Sequence, residues 1–61
     1  MRKREIMTSY DMYKKGDWVK FYRGGLLVIG QVDYILKDIL GNVFLATDIG
    51  EVCTEHVLEK R

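Results

Sequence analysis

The chain has 61 residues, with ten Lys and Arg against nine Asp and Glu, and a single cysteine. This length allows one small domain, and 48% hydrophobic with 31% charged residues is typical of a folded chain. The lone cysteine, Cys53, excludes an internal disulfide and a zinc site built from several cysteines. No apolar run approaches the ~20 residues that span a bilayer, and no apolar stretch follows the basic start. We therefore expect a cytoplasmic protein that does not interact with membranes.

Residues 1–14 are predicted to form a basic and aromatic N-terminal arm. Ile6, Tyr10 and Tyr13 have the spacing of one face of a short amphipathic helical turn. Because so short a helix is unstable without packing partners, a mobile tail is the alternative. Residues 1–23 are net basic and residues 24–61 are net acidic, so the small total charge of +1 conceals an uneven distribution.

Residues 15–61 show the short apolar runs and glycine-containing turns of an all-β domain. Glycines lie at the predicted turns 24–25, 41–42 and 48–50, where positive φ angles are common. A further tight turn is predicted at residues 55–56. The five predicted strands are residues 17–22, 26–36, 43–47, 51–54 and 57–60.

The first two predicted strands form a hairpin. Val19 and Phe21 are predicted to face the core, which places Trp18, Lys20 and Tyr22 on the outer face. Gly30 interrupts the long second strand, which indicates a bulge or bend where two backbones approach closely. A bent second strand can serve two sheets, and we therefore predict a small closed barrel of five strands.

Four segments carry a resemblance to a known fold family: Lys15-Gly16-Asp17-Trp18-Val19-Lys20, Gly30-Gln31-Val32, Thr47-Asp48-Ile49-Gly50-Glu51-Val52 and Val57-Leu58-Glu59. Together they resemble the SH3-like small barrels of the Tudor and KOW type over residues 15–61. The resemblance implies a five-stranded SH3-like barrel. It implies little about function, since such barrels bind RNA, DNA, peptides or other proteins.

The pattern is also similar to the plasmid-borne type II dihydrofolate reductases, which are SH3-like barrels that work as tetramers around a pore. Their pore is lined by a Val-Gln-Ile-Tyr segment, and the corresponding residues here are Val52-Cys53-Thr54-Glu55. Only the valine matches. The resemblance therefore implies the fold and a homo-oligomer that could hold a small ligand, but not reductase activity.

The chain offers few residues for catalysis. Cys53 and His56 are three positions apart, yet nothing in the sequence orients them as a nucleophile and its base. A metal site needs three or four clustered ligands. Cys53, Glu55 and His56 would have to be joined by Asp48 or Glu51, and this spacing fits no known ligand scheme. We expect no catalytic residues, no metal and no cofactor, and hence no enzyme.

Nucleic-acid binding is one candidate function. Aromatic side chains between cations can stack on unpaired bases while the cations hold phosphates. The candidate residues for this role, or for steering and anchoring a protein partner, are Arg4, Lys14, Lys15, Trp18, Lys20, Tyr22 and Arg23. The isoelectric point of about 7.9 lies below that of most dedicated nucleic-acid domains.

Protein interaction is the favoured function. The second strand is apolar on both predicted faces, with Val28 and Val32 on one and Leu27, Ile29 and Ile35 on the other. Two further aliphatic residues, Ile39 and Leu40, precede a turn glycine. We predict an exposed apolar interface at Leu27, Ile29, Ile39 and Leu40. The alternative for Leu36, Ile39 and Leu40 is that they plug one end of the barrel.

The sequence thus favours a small binding module of regulatory or inhibitory type, acting on a protein partner or on a second copy of itself. Sequence-tolerant binding of single-stranded nucleic acid is the first alternative. A small-ligand site in a homo-oligomer is the second.

Overall fold

The computed structural model describes residues 4–61, so Arg2 and Lys3 of the predicted arm lie outside it. Its strands are β1 (Arg4–Met7), β2 (Ser9–Tyr10), β3 (Tyr13–Lys14), β4 (Trp18–Arg23), β5 (Leu26–Asp38), β6 (Val43–Thr47), β7 (Gly50–Cys53) and β8 (Glu59–Lys60). A single 3₁₀ turn, Thr54–His56, joins β7 to β8 where the sequence predicts a tight turn. The all-β prediction is confirmed. Within the described residues, no helix is long and apolar enough to cross a membrane.

The long strand β5 organises the fold. Its first half, from Leu26 to Gln31, pairs with β4 in an antiparallel hairpin. Its second half pairs with β6 through residues 32–37 and with β1 through residues 35–38. One strand therefore takes part in both parts of the sheet, as the sequence predicts.

The hairpin of β4 and β5 follows the local sequence pattern closely. Its turn contains Gly24 and Gly25, with φ of 57° and 82°, angles that few other residues adopt. Val19 and Phe21 point inward and are fully buried, which confirms the predicted alternation along β4.

An irregularity in β5 changes which residues face the core. The register with β6 shifts between Val32 and Tyr34, so Asp33 is an extra residue in β5. The bulge reverses the alternation, and Ile35 becomes fully buried opposite Leu45. The prediction that Ile35 shares a face with Leu27 and Ile29 is therefore wrong, because a bulge moves every later side chain to the other face.

Gly30 lies at a close approach rather than at the bulge itself. A Cβ at this position would lie 2.8 Å from Oγ1 of Thr47 and 3.1 Å from Cγ1 of Ile49. The neighbours that leave no room for a side chain at Gly30 are therefore side chains rather than a second backbone, and the irregular residue is Asp33, three positions later.

The N-terminal residues differ from the prediction. Residues 4–7 form β1, which pairs with β5, and residues 9–14 form the β2–β3 hairpin. Met7, Tyr10 and Tyr13 pack against the core. The predicted helical turn is wrong, because the second half of β5 has an edge whose backbone groups need hydrogen-bond partners, and β1 supplies them.

The core lies between the two halves of the sheet. Its fully buried side chains are Phe21, Ile35, Leu45, Val19 and Val32. The strand order is β7-β6-β5-β4-β8, with β1 attached to β5. Among residues 4–61 no strand pairing joins β7 to β8, so the sheet curves around the core without closing.

Candidate binding face

The outer side of the β4–β5 hairpin brings together residues that the sequence assigned to two different sites. Trp18 pairs with Gln31, Lys20 with Ile29, and Tyr22 with Leu27. Because paired residues point to the same side of a sheet, these six side chains share one surface, which we call the hairpin face. The candidate aromatic anchors Trp18 and Tyr22 thus share a surface with Leu27 and Ile29, two of the four residues of the candidate aliphatic interface.

Four of these six side chains are apolar and exposed. Trp18, Tyr22, Leu27 and Ile29 each leave between 46% and 63% of their surface accessible. Leu26 and Leu58 are also more than half exposed, but side chains alternate along a strand. Leu26 pairs with Arg23 on the other side of the hairpin, and Leu58 lines a groove with Phe21 and Arg23.

The charges on the hairpin face are paired with each other. Nζ of Lys20 lies 3.1 Å from a carboxylate oxygen of Glu59, and a guanidinium nitrogen of Arg61 lies 3.6 Å from the other. The hydrogen bond from Lys20, with the positive charges of Lys20 and Arg61, lowers the pKa of Glu59 below its usual value. Sequence reasoning missed Glu59 and Arg61, because only strand pairing brings the chain end beside β4.

A shallow groove lies at the centre of the hairpin face. Its volume is about 280 Å³, and its lining residues are Trp18, Lys20, Ile29, Glu59 and Arg61. The walls are an indole ring and an aliphatic side chain, while the charged groups stand at the rim. This arrangement suits an apolar side chain of a partner better than a free anion.

The remaining candidate cations are not gathered on the hairpin face. Lys14 is exposed on β3. Nζ of Lys15 lies 3.7 Å from Oδ1 of Asp33, and both of these side chains are exposed. Arg23 ends β4, and its guanidinium lies against the backbone of Gly50. The predicted cluster of cations around Trp18 is therefore reduced to Lys20, which is already paired.

Arg4 lies in a different part of the molecule. Its guanidinium donates two hydrogen bonds to the carboxylate of Glu51, at 2.9 and 3.3 Å, and stands 5.2 Å from the ring centre of Phe44. The hydrogen bond with Glu51 raises the pKa of Arg4 above its ordinary value. Arg4 thus covers the outer side of β6 and β7, and the structure does not place it beside Trp18.

Ile39 and Leu40 lie in a turn at the far end of β5 from the hairpin face. Oδ1 of Asp38 accepts hydrogen bonds from the N–H groups of Leu40 and Asn42, both at 2.9 Å. Ile39 and Leu40 are 80% and 82% exposed, so the alternative in which they plug the barrel is wrong. Leu36 is buried, but it lies within β5 rather than in a loop.

A second groove, of about 470 Å³, lies between the end of β4 and β7. Cys53 is half-buried and His56 is exposed along it. Glu51 and Glu55 line the same groove. Within the described residues, no group of three or more His, Cys, Asp and Glu side chains is placed to hold a metal ion.

Comparisons of the chain with protein-family models, with curated proteins and with solved structures gave no match. The SH3-like resemblance of residues 15–61 therefore stays a prediction. So does a small-ligand site in a homo-oligomer.

Proposed function

We propose that this protein is a small, cytoplasmic, non-enzymatic binding module that docks on an apolar protein surface through the hairpin face. The observation that carries the proposal is the alignment of Trp18, Tyr22, Leu27 and Ile29, all exposed, on one side of two paired strands. Large aromatic and aliphatic side chains of this kind anchor protein interfaces.

The size of the patch supports this function. About half of each of the four apolar side chains is exposed, and a whole aromatic side chain offers ~150–250 Å², so the apolar surface of the hairpin face is on the order of 500 Å². That is comparable with the largest apolar patch of a typical monomer, which is often functional. The paired charges of Lys20, Glu59 and Arg61 at the rim supply the polar border that interfaces of this kind have.

An SH3-like barrel is part of the proposal. Its support is the strand order β7-β6-β5-β4-β8 together with the 3₁₀ turn before the last strand. In such a barrel the hairpin face lies outside the core, where it can meet a partner without any change in the fold.

Single-stranded nucleic acid is the alternative occupant. Trp18 and Tyr22 could stack on bases, but Lys20 and Arg61, the cations beside them, are paired with Glu59. Binding phosphates would require these ion pairs to break. Fluorescence anisotropy of labelled single-stranded and duplex oligonucleotides at two salt concentrations tests this alternative. We expect no binding at physiological salt. Tight binding that falls steeply with salt and is lost in Trp18→Ala would overturn the proposal.

The protein-docking function is tested by site-specific crosslinking in the cells that produce the protein. A photo-crosslinking amino acid replaces Ile29 in the hairpin face, and the matched control replaces Ile39, which is more exposed but lies at the other end of β5. We expect discrete protein adducts from position 29 and none of the same mass from position 39. Equal adduct patterns from both positions would contradict a specific docking surface.

A further inference from the structure

We infer that the occupant of the hairpin face is a second copy of this chain, docked through the same face to give a two-fold symmetric dimer. The inference rests on the proposed function, because it names the partner for that face. Three properties of the face carry it: its area, its pattern of charge and its place in the fold.

The apolar area is the amount that a stable dimer needs. A standard interface buries about 800 Å² on each partner, of which a little over half is apolar. The apolar part of the hairpin face, on the order of 500 Å², supplies that share without any contribution from the rest of the molecule. The chain exposes 4471 Å², so this apolar area is about a tenth of its surface.

The pattern of charge on the hairpin face allows it to dock on a copy of itself. Tyr22 pairs with Leu27, and Lys20 pairs with Ile29, on the adjacent strands β4 and β5. A two-fold axis that lies in the interface and runs along the strands between β4 and β5 places Tyr22 of one copy opposite Leu27 of the other, and the reverse. The charged side chains of Glu59 and Arg61 on the β8 side of each copy then lie at opposite borders of the interface, where Lys20 keeps its ion pair with Glu59 and like charges do not meet.

The place of the face in the fold gives the dimer a physical benefit. A domain of about 60 residues buries a smaller share of its surface than a larger domain does, and it is only marginally stable. This chain has no disulfide, since Cys53 is its only cysteine, and the usual remaining support is oligomerisation. A second copy would give the β4–β5 hairpin, which packs on the core through one side only, a covered second side.

Sedimentation velocity from about 1 µM to 1 mM tests the dimer. The variants are Ile29→Glu, in the middle of the face, and Ile39→Glu as the matched exposed control. We expect the wild-type chain and Ile39→Glu to dimerise with equal affinity, and Ile29→Glu to weaken dimerisation by at least 100-fold. Circular dichroism of each variant checks that the monomer remains folded, as expected for side chains this exposed.

A charge exchange across the apolar pair tests the proposed symmetry. Tyr22→Asp and Leu27→Lys each place a charge against an apolar side chain of the other copy, so each is expected to weaken dimerisation about tenfold or more. The double variant places opposite charges across the two-fold axis and is expected to recover part of that loss. A double variant no better than either single one would overturn this axis.

The outcomes separate the dimer from the docking function. A wild-type chain that stays monomeric at 1 mM overturns the dimer, whereas crosslinks from position 29 to a different protein would still support docking. A dimer that survives Ile29→Glu overturns the inference, because its interface then lies elsewhere. Loss of the dimer in Ile29→Glu alone, with crosslinks from position 29 joining two copies of the chain, supports both.

Discussion

Each half of β5 contains four large apolar or aromatic residues, but the two halves have very different surroundings. Around the second half, the outward side chains Leu36 and Ala46 are buried. Around the first half, the outward side chains Leu27 and Ile29 are more than half exposed. The chain covers one outer surface with its own residues and leaves the other open.

The cover on the second half comes from residues distant in sequence. β1 pairs with β5 and brings Ile6 beside Leu36, while Phe44 flanks Leu36 from β6. Arg4 spans this surface to reach Glu51. The comparison teaches that segments distant in the chain decide which outer surface of β5 is covered, and the proposed dimer would cover the outer surface of the first half.

Truncation of one isoleucine in each half of β5 is expected to give the largest difference in stability. Ile35→Ala empties a fully buried position and is expected to cost about 2–5 kcal/mol of unfolding free energy. Ile29→Ala removes an exposed side chain and should change the stability of the monomer by about 0.5 kcal/mol or less. Urea denaturation at low micromolar concentration measures both. A large loss of monomer stability in Ile29→Ala would show that the hairpin face is part of the core.

The contact between Gly30 of β5 and Thr47 of β6 gives the next largest expected effect on stability. Gly30→Ala puts a methyl group 2.8 Å from Oγ1 of Thr47 and is expected to destabilise the fold by about 1–3 kcal/mol. Thermal unfolding of Gly30→Ala, Thr47→Ala and the double variant measures the coupling. We expect the double variant to lose less than the sum of the single losses, since Thr47→Ala removes the nearest atom. Strict additivity would mean that the two residues do not meet.

Arg4, which covers the outer surface of the second half of β5, is expected to contribute less to stability than the contact at Gly30. The reason is that its ion pair with Glu51 is partly exposed. Arg4→Ala should lower the melting temperature measurably but less than Gly30→Ala does. The matched control is Lys15→Ala, which removes an ion pair that is longer and more exposed and should have no measurable effect. Equal effects of the two variants would show that Arg4 contributes only its charge.

The smallest expected effect is a pH dependence at the Asp38–Asn42 turn. Burial alone would raise the pKa of Asp38, but hydrogen bonds from Asn42 and from the N–H of Leu40 outweigh it and lower the pKa. A lowered pKa in the folded state adds stability above the unfolded-state pKa, and this is lost as the pH falls through the folded-state value. Carboxyl NMR titration should find Asp38 below its ordinary value. Asp38→Asn should reduce the acid dependence of stability, and an unchanged dependence would contradict this.

Residue types and their alternation were enough to predict much of the hairpin. The glycines at 24–25 and the alternation at Val19 and Phe21 are local signals, and they correctly placed the turn, the inward face and the outward position of Trp18 and Tyr22. The candidate site was predicted only in fragments. The sequence proposed aromatic and aliphatic residues separately, because nothing local shows that Tyr22 lies opposite Leu27.

The errors have non-local causes. Ile35 was assigned to the wrong face because the bulge at Asp33 depends on how β5 pairs with β6. Arg4 was grouped with Trp18 because both are near the start of the chain, although β1 pairs with the opposite end of β5 from β4.

The sequence by itself therefore determined the all-β class, the turn positions and the inward side of β4, since each depends on neighbouring residues and on the two-residue period of a strand. Only the tertiary structure decided which outer surface of β5 is covered, where the alternation reverses, and that Glu59 forms ion pairs with Lys20 and Arg61 beside Trp18. Those features depend on contacts between segments far apart in the chain, which side-chain alternation does not encode.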